Sequence, residues 1–162
     1  MHKFPLVAVA KKQHNASMDQ FINEYRTLAG MHVTYKTSVL EMVRLLSEGK
    51  IIGLLMDQDA LSAGVFVDFF DRKASTPQGS AALARMKNAP IVPAFITANA
   101  DGTHTAIIHP PVWAPKTSNR RQDIFETTQL LTKIVENHIK QHPEEWFWLH
   151  NRWKTKPPKD EP

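Results

Sequence analysis

The chain has 162 residues, 42% of them hydrophobic, a length that supports one hydrophobic core better than two. It contains no cysteine, which excludes a disulfide framework, a thiol nucleophile and a cysteine-ligated metal site. Its net charge of +4 favours anionic partners, but outside the C-terminal segment the basic residues are not interleaved with stacking aromatics, so we expect no nucleic-acid partner.

The apolar runs of the sequence are too short for a membrane-spanning helix. The longest, Pro5–Ala10 and Ile51–Met56, fall far below the roughly 20 residues that such a helix requires. The N-terminus also lacks the long apolar core of a signal peptide, so export is not expected. We expect one domain over residues 1–157 and a disordered Pro-rich tail at residues 158–162.

The first half of the sequence predicts strands that alternate with helices. Pro5–Ala10 and Ile51–Met56 are typical of strands buried on both faces, and Val33–Tyr35 predicts a shorter strand between them. The fold class expected from this order is α/β. It consists of a mostly parallel sheet flanked by helices, with the Ile51–Met56 strand in the middle.

Two helices are predicted between these strands. Apolar residues recur at helical spacing over residues 18–28, and Asn15 or Ser17 can cap that helix. Ser38 and Glu41 have the spacing of a capping box at the start of the second helix.

The second half of the sequence begins with an extended segment. Val65–Phe70 predicts a strand, and Thr76 followed by Pro77 is typical of a helix start. A buried strand is predicted at Ile91–Ile96, followed by a turn and an antiparallel partner at Thr103–Ile108.

A long amphipathic helix is predicted next, and the chain ends in an aromatic and basic segment. The helix covers Ile124 to Ile139 and stops before Pro143. His138 and His142 lie four residues apart on it without a third ligand nearby in sequence, so a solvated helix face is expected and no metal site.

The C-terminal segment combines tryptophans with cationic residues. Trp146 and Trp148 are expected to pack in the core. Arg152, Lys154 and Lys156 alternate, so on an extended strand they would project to one side and could bind an anionic group. With His150, Arg152 and Lys154 are candidate substrate-binding residues.

Asp57 and Asp59 follow the predicted Ile51–Met56 strand, and ligands of α/β proteins bind at the carboxyl ends of such strands. Two carboxylates there could hold a catalytic imidazole, bind magnesium, or cap a turn. The D-x-D pattern alone does not distinguish these roles.

His14 and Asp19 satisfy H-x4-D, a spacing with which a carboxylate can orient an imidazole that acts as general base. Eight histidines and sixteen acidic residues make a chance match at this spacing common. The sequence contains no G-x-S-x-G, G-x-G-x-x-G or P-loop, so serine hydrolase, dinucleotide and nucleoside-triphosphate sites have no support.

Several segments, in order, resemble the late acyltransferases of lipid A biosynthesis. The matching segments are Leu54–Asp59, Val65–Phe70, Thr76–Gly79, Leu83–Arg85, Ala89–Phe95 and Trp146–Pro157. The combination of the D-Q-D strand end, the T-P-x-G segment and the W-x-W-L-H-x-R-W-K-T ending is specific. The resemblance implies a glycerophosphate-acyltransferase-like fold and no cofactor. It also implies transfer of an acyl group from acyl carrier protein to a lipid A precursor hydroxyl at the cytoplasmic face of the inner membrane.

The chain departs from the family pattern in two ways. The proteins of the family that this chain resembles are nearly twice as long. They have a hydrophobic N-terminal anchor and, upstream of the segment that matches the first strand here, a catalytic G-H-F-x-N-W-E type motif, which is a form of H-x4-[DE]. Asn15, Asp19 and Arg26 match the family's following N, D and R pattern, so the H-x4-D of His14 is interpreted as coincidental. We therefore expect an N-terminally truncated, catalytically incomplete chain.

The resemblance also implies site residues. It places an acid at the Asp57 and Asp59 position near the catalytic histidine, which indicates a supporting electrostatic role for this pair. Arg26 becomes a candidate for holding a phosphate or the acceptor, or it is an exposed helix arginine. Two alternatives stay open: a short active acyltransferase that uses His14 and Asp19, and a noncatalytic module that binds anionic lipid or carrier protein.

Overall fold

A computed structural model describes residues 5–28 and 30–158 of the chain. The chain divides into two compact units, residues 1–55 and residues 56–162. The expected α/β class is confirmed, because the described residues form four α-helices and one sheet with parallel strands. Of the predicted disordered tail at 158–162, all but Pro158 lies outside the described residues.

The first unit is a three-stranded parallel sheet with two helices. Its strands are β1 (Leu6–Ala10), β2 (His32–Tyr35) and β3 (Ile51–Gly53), and its helices are α1 (Ala16–Leu28) and α2 (Val39–Ser47). The sheet order is β2-β1-β3, so β1 pairs on both sides. Val7 of β1 is fully buried and belongs to the core with Met42 and Leu45 of α2.

The strand predicted at Ile51–Met56 is shorter and lies elsewhere in the sheet. Strand β3 ends at Gly53 and forms an edge, whereas β1 occupies the middle. Ile51 and Leu55 are half or more exposed. The prediction was wrong because an apolar run indicates a strand but contains no information on strand order or on what covers it.

The helix caps of the first unit agree in part with the prediction. Asn15 caps α1, since its side chain accepts a hydrogen bond from the backbone N–H of Met18 at 3.1 Å. Ser38 occupies the N-cap position of α2 but makes no side-chain cap bond. The predicted capping box does not form because Glu41 instead accepts a hydrogen bond from the Thr34 hydroxyl of β2.

The second unit combines two antiparallel strand pairs with two helices. Its elements are β4 (Val65–Phe69), β5 (Arg72–Thr76), α3 (Gly79–Lys87), β6 (Ala94–Ala98), β7 (His104–Ile108) and α4 (Arg120–Gln141). Strand β4 pairs with β5, and β6 pairs with β7. A hydrophobic core of Phe69, Ala74 and Ile139 joins the first pair to α4, and Trp146 and Trp153 pack against it.

The helix start predicted at Thr76 and Pro77 is wrong. Thr76 ends β5, and α3 begins at Gly79. Strand β5 is not predicted from the sequence because its buried residues, Ala74, Ser75 and Thr76, are small or polar and show no hydrophobic alternation.

The predicted hairpin of the second unit is confirmed, but not its burial. Strands β6 and β7 pair with Ala94 opposite Ile108, whereas β6 begins only after Pro93. Of the β6 residues, Thr97 alone is buried, and Ile96 is 67% exposed. The apolar residues predict a strand, but they do not reveal that most side chains of β6 are left exposed.

The predicted long helix is confirmed as α4, and the turn Pro143–Glu145 follows it. The His138 ring is not on a solvated face, because it stacks on Phe95 at 3.9 Å. Burial is the largest cause that lowers the pKa of His138. Helical spacing could not show that β6 would cover this face.

Candidate functional site

The second unit contains a polar cluster built around Asp59. Its Oδ1 accepts hydrogen bonds from the backbone N–H of Leu61 at 2.9 Å and from the Thr155 hydroxyl at 2.8 Å, and its Oδ2 accepts the backbone N–H of Thr155 at 3.1 Å. Burial alone would raise the pKa of Asp59, but these bonds outweigh it and lower the pKa. Asp59 is therefore ionised and ties the start of the unit to its end.

His150 is oriented by the backbone of the same cluster. Its Nε2 accepts a hydrogen bond from the backbone N–H of Asp59 at 2.9 Å. A ring nitrogen that accepts a hydrogen bond has no proton of its own, so the neutral ring bears its proton on Nδ1. This half-buried imidazole can donate from Nδ1 to a ligand.

Arg152 lies inside the second unit, 2% exposed. Its Nη1 donates to the backbone carbonyl of Ser75 at 2.7 Å, its Nη2 donates to the Thr76 hydroxyl, and its guanidinium lies 5.2 Å from the centre of the Phe69 ring. Burial lowers the pKa of Arg152, and the charges of Asp59 and Asp57 oppose this effect.

The extended strand predicted for Arg152, Lys154 and Lys156 does not form. The segment bends, and Arg152 is buried while the two lysines are exposed. The prediction was wrong because alternation in sequence cannot reveal that the guanidinium satisfies the end of β5. Trp146 packs in the core as expected, whereas Trp148 is 59% exposed.

Asp57 is half-buried and lies close enough to Arg152 to raise the pKa of that guanidinium. Its Oδ1 is buried and has no hydrogen-bond partner among the described residues. A buried oxygen without a partner is unfavourable, so this atom is already desolvated and open to a donor. The structure thus brings Asp57, Asp59, His150 and Arg152 together in one unit.

The first unit contains a second polar network, around Asp19. Its Oδ1 accepts the backbone N–H of Gln13 at 2.8 Å, and its Oδ2 accepts the Tyr35 hydroxyl at 2.6 Å and Asn23 Nδ2 at 3.3 Å. The Gln13 bond is the largest cause that lowers the pKa of Asp19, followed by the Tyr35 bond. Among the bonds described for residues 5–28 and 30–158, none joins Asp19 to the exposed His14.

Arg26 joins the same network at its far end. Its Nη1 donates to Asn23 Oδ1 at 3.1 Å, and the guanidinium is half-buried. A cleft of about 410 Å³ lies alongside, at the carboxyl ends of β1 and β2. The cleft is lined by Lys12, Ala16, Asp19, Gln20, Asn23, Glu24, Thr27 and Tyr35.

The residues of these networks that sequence patterns do not predict include Tyr35, Asn23 and Thr155. The sequence pattern places Tyr35 only in a strand, although a hydroxyl at the carboxyl end of a strand beside a helix start is an available signal. Thr155 lies in the W-x-W-L-H-x-R-W-K-T ending, but nothing in that pattern reveals Asp59 as its partner.

The histidines and carboxylates in the described part of the chain form no group of three that could hold a metal ion. None of its helices has the length and hydropathy needed to cross a membrane.

The chain matches a family of known proteins. The model of the family described as bacterial lipid A biosynthesis acyltransferase matches residues 1–155. The lipid A biosynthesis lauroyltransferase of Escherichia coli strain K12 is 29% identical over 155 residues, which are 94% of this chain and 50% of that protein.

Two other relatives match over a similar range. The lipid A biosynthesis palmitoleoyltransferase of the same strain is 23% identical over 94% of this chain and 49% of its own length. The phosphatidylinositol mannoside acyltransferase of Mycolicibacterium smegmatis is 25% identical over 92% of this chain and 49% of its own length. The chain thus spans about half the length of the curated relatives it matches.

Proposed function

The chain belongs to the bacterial lipid A biosynthesis acyltransferase family, and on that basis we propose that it forms part of an enzyme that moves a fatty acyl group from acyl carrier protein to a hydroxyl of a lipid A precursor. The names of the relatives support acyl transfer, and two of those described above specify lipid A biosynthesis. The mannoside acyltransferase indicates that the shared chemistry is acylation of a lipid that bears a sugar. The site of action in this proposal is the cytoplasmic face of the inner membrane.

The observation that carries the proposal is the buried Oδ1 of Asp57, which has no hydrogen-bond partner within residues 5–28 and 30–158. In the proposed reaction, an imidazole of the family's H-x4-[DE] type removes the proton of the acceptor hydroxyl, and the hydroxyl oxygen attacks the thioester carbon. The carrier thiol leaves and takes the proton back. A desolvated carboxylate oxygen stabilises the imidazolium formed between these steps, because charges interact strongly where water is excluded.

The other residues of the cluster have different parts in this proposal. Asp59 positions His150 and the C-terminal segment, and in this proposal the Nδ1–H of His150 and the ammonium of the exposed Lys154 donate to the substrate. Arg152 positions the C-terminal segment and does not contact the substrate, since its Nη1 and Nη2 groups donate to Ser75 and Thr76. Arg26, in the first unit, is proposed separately as a residue that binds a phosphate or another anionic group.

The rival use of His14 and Asp19 as a catalytic pair has less support. Both Asp19 carboxylate oxygens already accept hydrogen bonds, from Gln13, Tyr35 and Asn23. An imidazole oriented by Asp19 would need to donate to one of these two oxygens. We therefore propose that the 162-residue chain alone does not catalyse acyl transfer. Under the third reading, a noncatalytic binding module, Asp57 would have no effect on transfer in any context.

A chimera tests the proposal. This chain replaces the matching half of the E. coli lauroyltransferase, and transfer from lauroyl carrier protein to a lipid A precursor is measured. The chimera is expected to transfer the acyl group, and Asp57→Asn to lower kcat by about 100-fold, in the range seen for one lost electrostatic contact. The control Asp68→Asn changes an exposed carboxylate that pairs with Lys73 and should leave kcat unchanged.

Transfer by the isolated chain that is abolished by His14→Ala would contradict the proposal. A fully active Asp57→Asn chimera would contradict the role of Asp57.

A further inference from the structure

Three consecutive large apolar side chains point outward near the C-terminal end of the second unit. Phe147 is 68% exposed, Trp148 is 59% exposed and Leu149 is 87% exposed. We propose that this apolar tip, Phe147–Leu149, inserts into the interfacial layer of a bilayer that contains anionic phospholipid.

The apolar tip is held in its exposed position by the fold. Trp148 donates from its backbone N–H to Trp146 at 2.9 Å and from its indole to Pro143 at 2.7 Å. Behind it, His150 donates to the carbonyl of Phe147 at 3.1 Å and accepts the backbone N–H of Asp59. A segment fixed before it binds loses little conformational entropy on insertion.

The charges of the segment select the partner. Residues 146–157 contain Arg152, Lys154 and Lys156 and no acidic residue. With Arg152 buried, Lys154 and Lys156 are the exposed cations of the segment that follows the tip. Anionic headgroups complement that charge, and tryptophan favours the interface between headgroups and acyl chains.

A second copy of the chain fits the tip less well, because the segment that follows the tip has the same positive charge in both copies. The acids that precede the tip are Glu144 and Glu145, and the Glu145 carboxylate accepts the backbone N–H of Ala98 at 2.7 Å. That carboxylate is therefore directed toward β6.

Another exposed apolar stripe, on α1, lacks such a charge pattern. It comprises Met18, Phe21, Tyr25 and Leu28. Its helix contains Asp19 and Glu24 against Arg26 alone, so the charge of this helix does not favour an anionic surface. The apolar tip is the surface for which charge and exposure agree.

Vesicle binding tests the inference with the full chain. Binding is measured by flotation with phosphatidylcholine vesicles, with and without phosphatidylglycerol. The chain is expected to bind the anionic vesicles, and Phe147→Ser with Leu149→Ser to weaken binding at least about tenfold, as expected for loss of two inserted side chains. Both substitutions leave the Trp148 indole bond in place.

A matched control and a depth probe complete the test. Leu40→Ser with Ile108→Ser removes two side chains that are 86% and 71% exposed elsewhere, and binding should be unchanged. Lipids brominated on the acyl chains should quench tryptophan emission in the parent chain and less in a Trp148→Phe variant.

Several results would overturn the inference: no binding to either vesicle, equal loss in the control, or self-association that depends on Phe147 and Leu149 in place of vesicle binding. The inference rests on the proposed function only in its choice of a membrane. Because no donor or acceptor is added, it can fail while the chimera is active, and it can hold while the chimera is inactive.

Discussion

Arg152 donates a hydrogen bond of 2.7 Å to the backbone carbonyl of Ser75, 77 residues earlier in the chain. With the Thr76 hydroxyl bound to the same guanidinium, the C-terminal segment closes over the end of β5. A residue expected to contact substrate thus holds together the unit that contains Asp57 and Asp59.

Removing the Arg152 guanidinium should destabilise the second unit. Arg152→Met leaves the Ser75 carbonyl and the Thr76 hydroxyl buried without their donor, and we expect the free energy of unfolding to fall by about 3 kcal/mol. Urea denaturation measures the change. Lys154→Met, at an exposed position in the same segment, should shift it by less than about 0.5 kcal/mol; equal effects of both variants would show that the buried contacts contribute nothing.

Glu136 of α4 should make stability depend on pH. Burial would raise its pKa, but hydrogen bonds from Lys133, Lys140 and the backbone of Phe70 lower it to about 2. A lowered pKa in the folded state stabilises the fold above the ordinary value of 4.5, and this contribution is lost as pH falls from there to about 2.

Glu136→Gln removes that pH dependence and should cost about 2 kcal/mol at neutral pH. Unfolding in urea at several pH values measures both effects. Glu126→Gln, an exposed change on the same helix, is the control and should leave the pH profile unchanged. A parent-like acid transition in the Glu136→Gln variant would contradict the assignment.

Several elements could be predicted because their signal is local. Strand β1, helix α1 and helix α4 follow from apolar runs and periodicity, and the hairpin of β6 and β7 follows from its turn residues. Strand β5 and the edge position of β3 could not be predicted, because burial of small polar residues and strand order depend on tertiary contacts.

The candidate site also has one part that the sequence predicts and one part that depends on tertiary contacts. The D-x-D pattern and the C-terminal motif predict Asp57, Asp59, His150 and Arg152 as candidate site residues, and the four lie in one unit. Their individual roles depend on which donor meets which acceptor over many residues, as in the bonds between Asp59 and Thr155. No spacing rule encodes such a pairing.

Gly64 should not tolerate a side chain. A Cβ there would clash with the Ser75 hydroxyl and would lie 2.7 Å from the Ala60 Cβ and 2.9 Å from the Thr76 nitrogen. We expect Gly64→Ala to lower the free energy of unfolding by about 2 kcal/mol, because the neighbouring backbone must move.

The matched control for this change is Gly79→Ala at the start of α3. A Cβ there meets nothing within 4 Å, so the variant should be neutral or slightly stabilising. Thermal unfolding compares the two variants. A Gly64→Ala protein as stable as the parent would show that the turn before β4 packs less closely than described.

Tyr35→Phe should raise the pKa of Asp19 toward its ordinary value. The Tyr35 hydroxyl donates to the ionised carboxylate, so its removal favours the protonated form. Titration followed by NMR measures the shift. Tyr25→Phe, an exposed change on α1, should have no effect, and neither should His14→Ala; a shift in the His14 variant alone would revive the His14 and Asp19 pair.

In the proposed reaction Asp57 offers a desolvated acceptor to the reacting groups, and kcat of the chimera with the lauroyltransferase half tests this role most directly. We predict a loss of about 100-fold in Asp57→Asn with unchanged folding and an unchanged KM for the acceptor. A kcat equal to that of the unmodified chimera would contradict the claim.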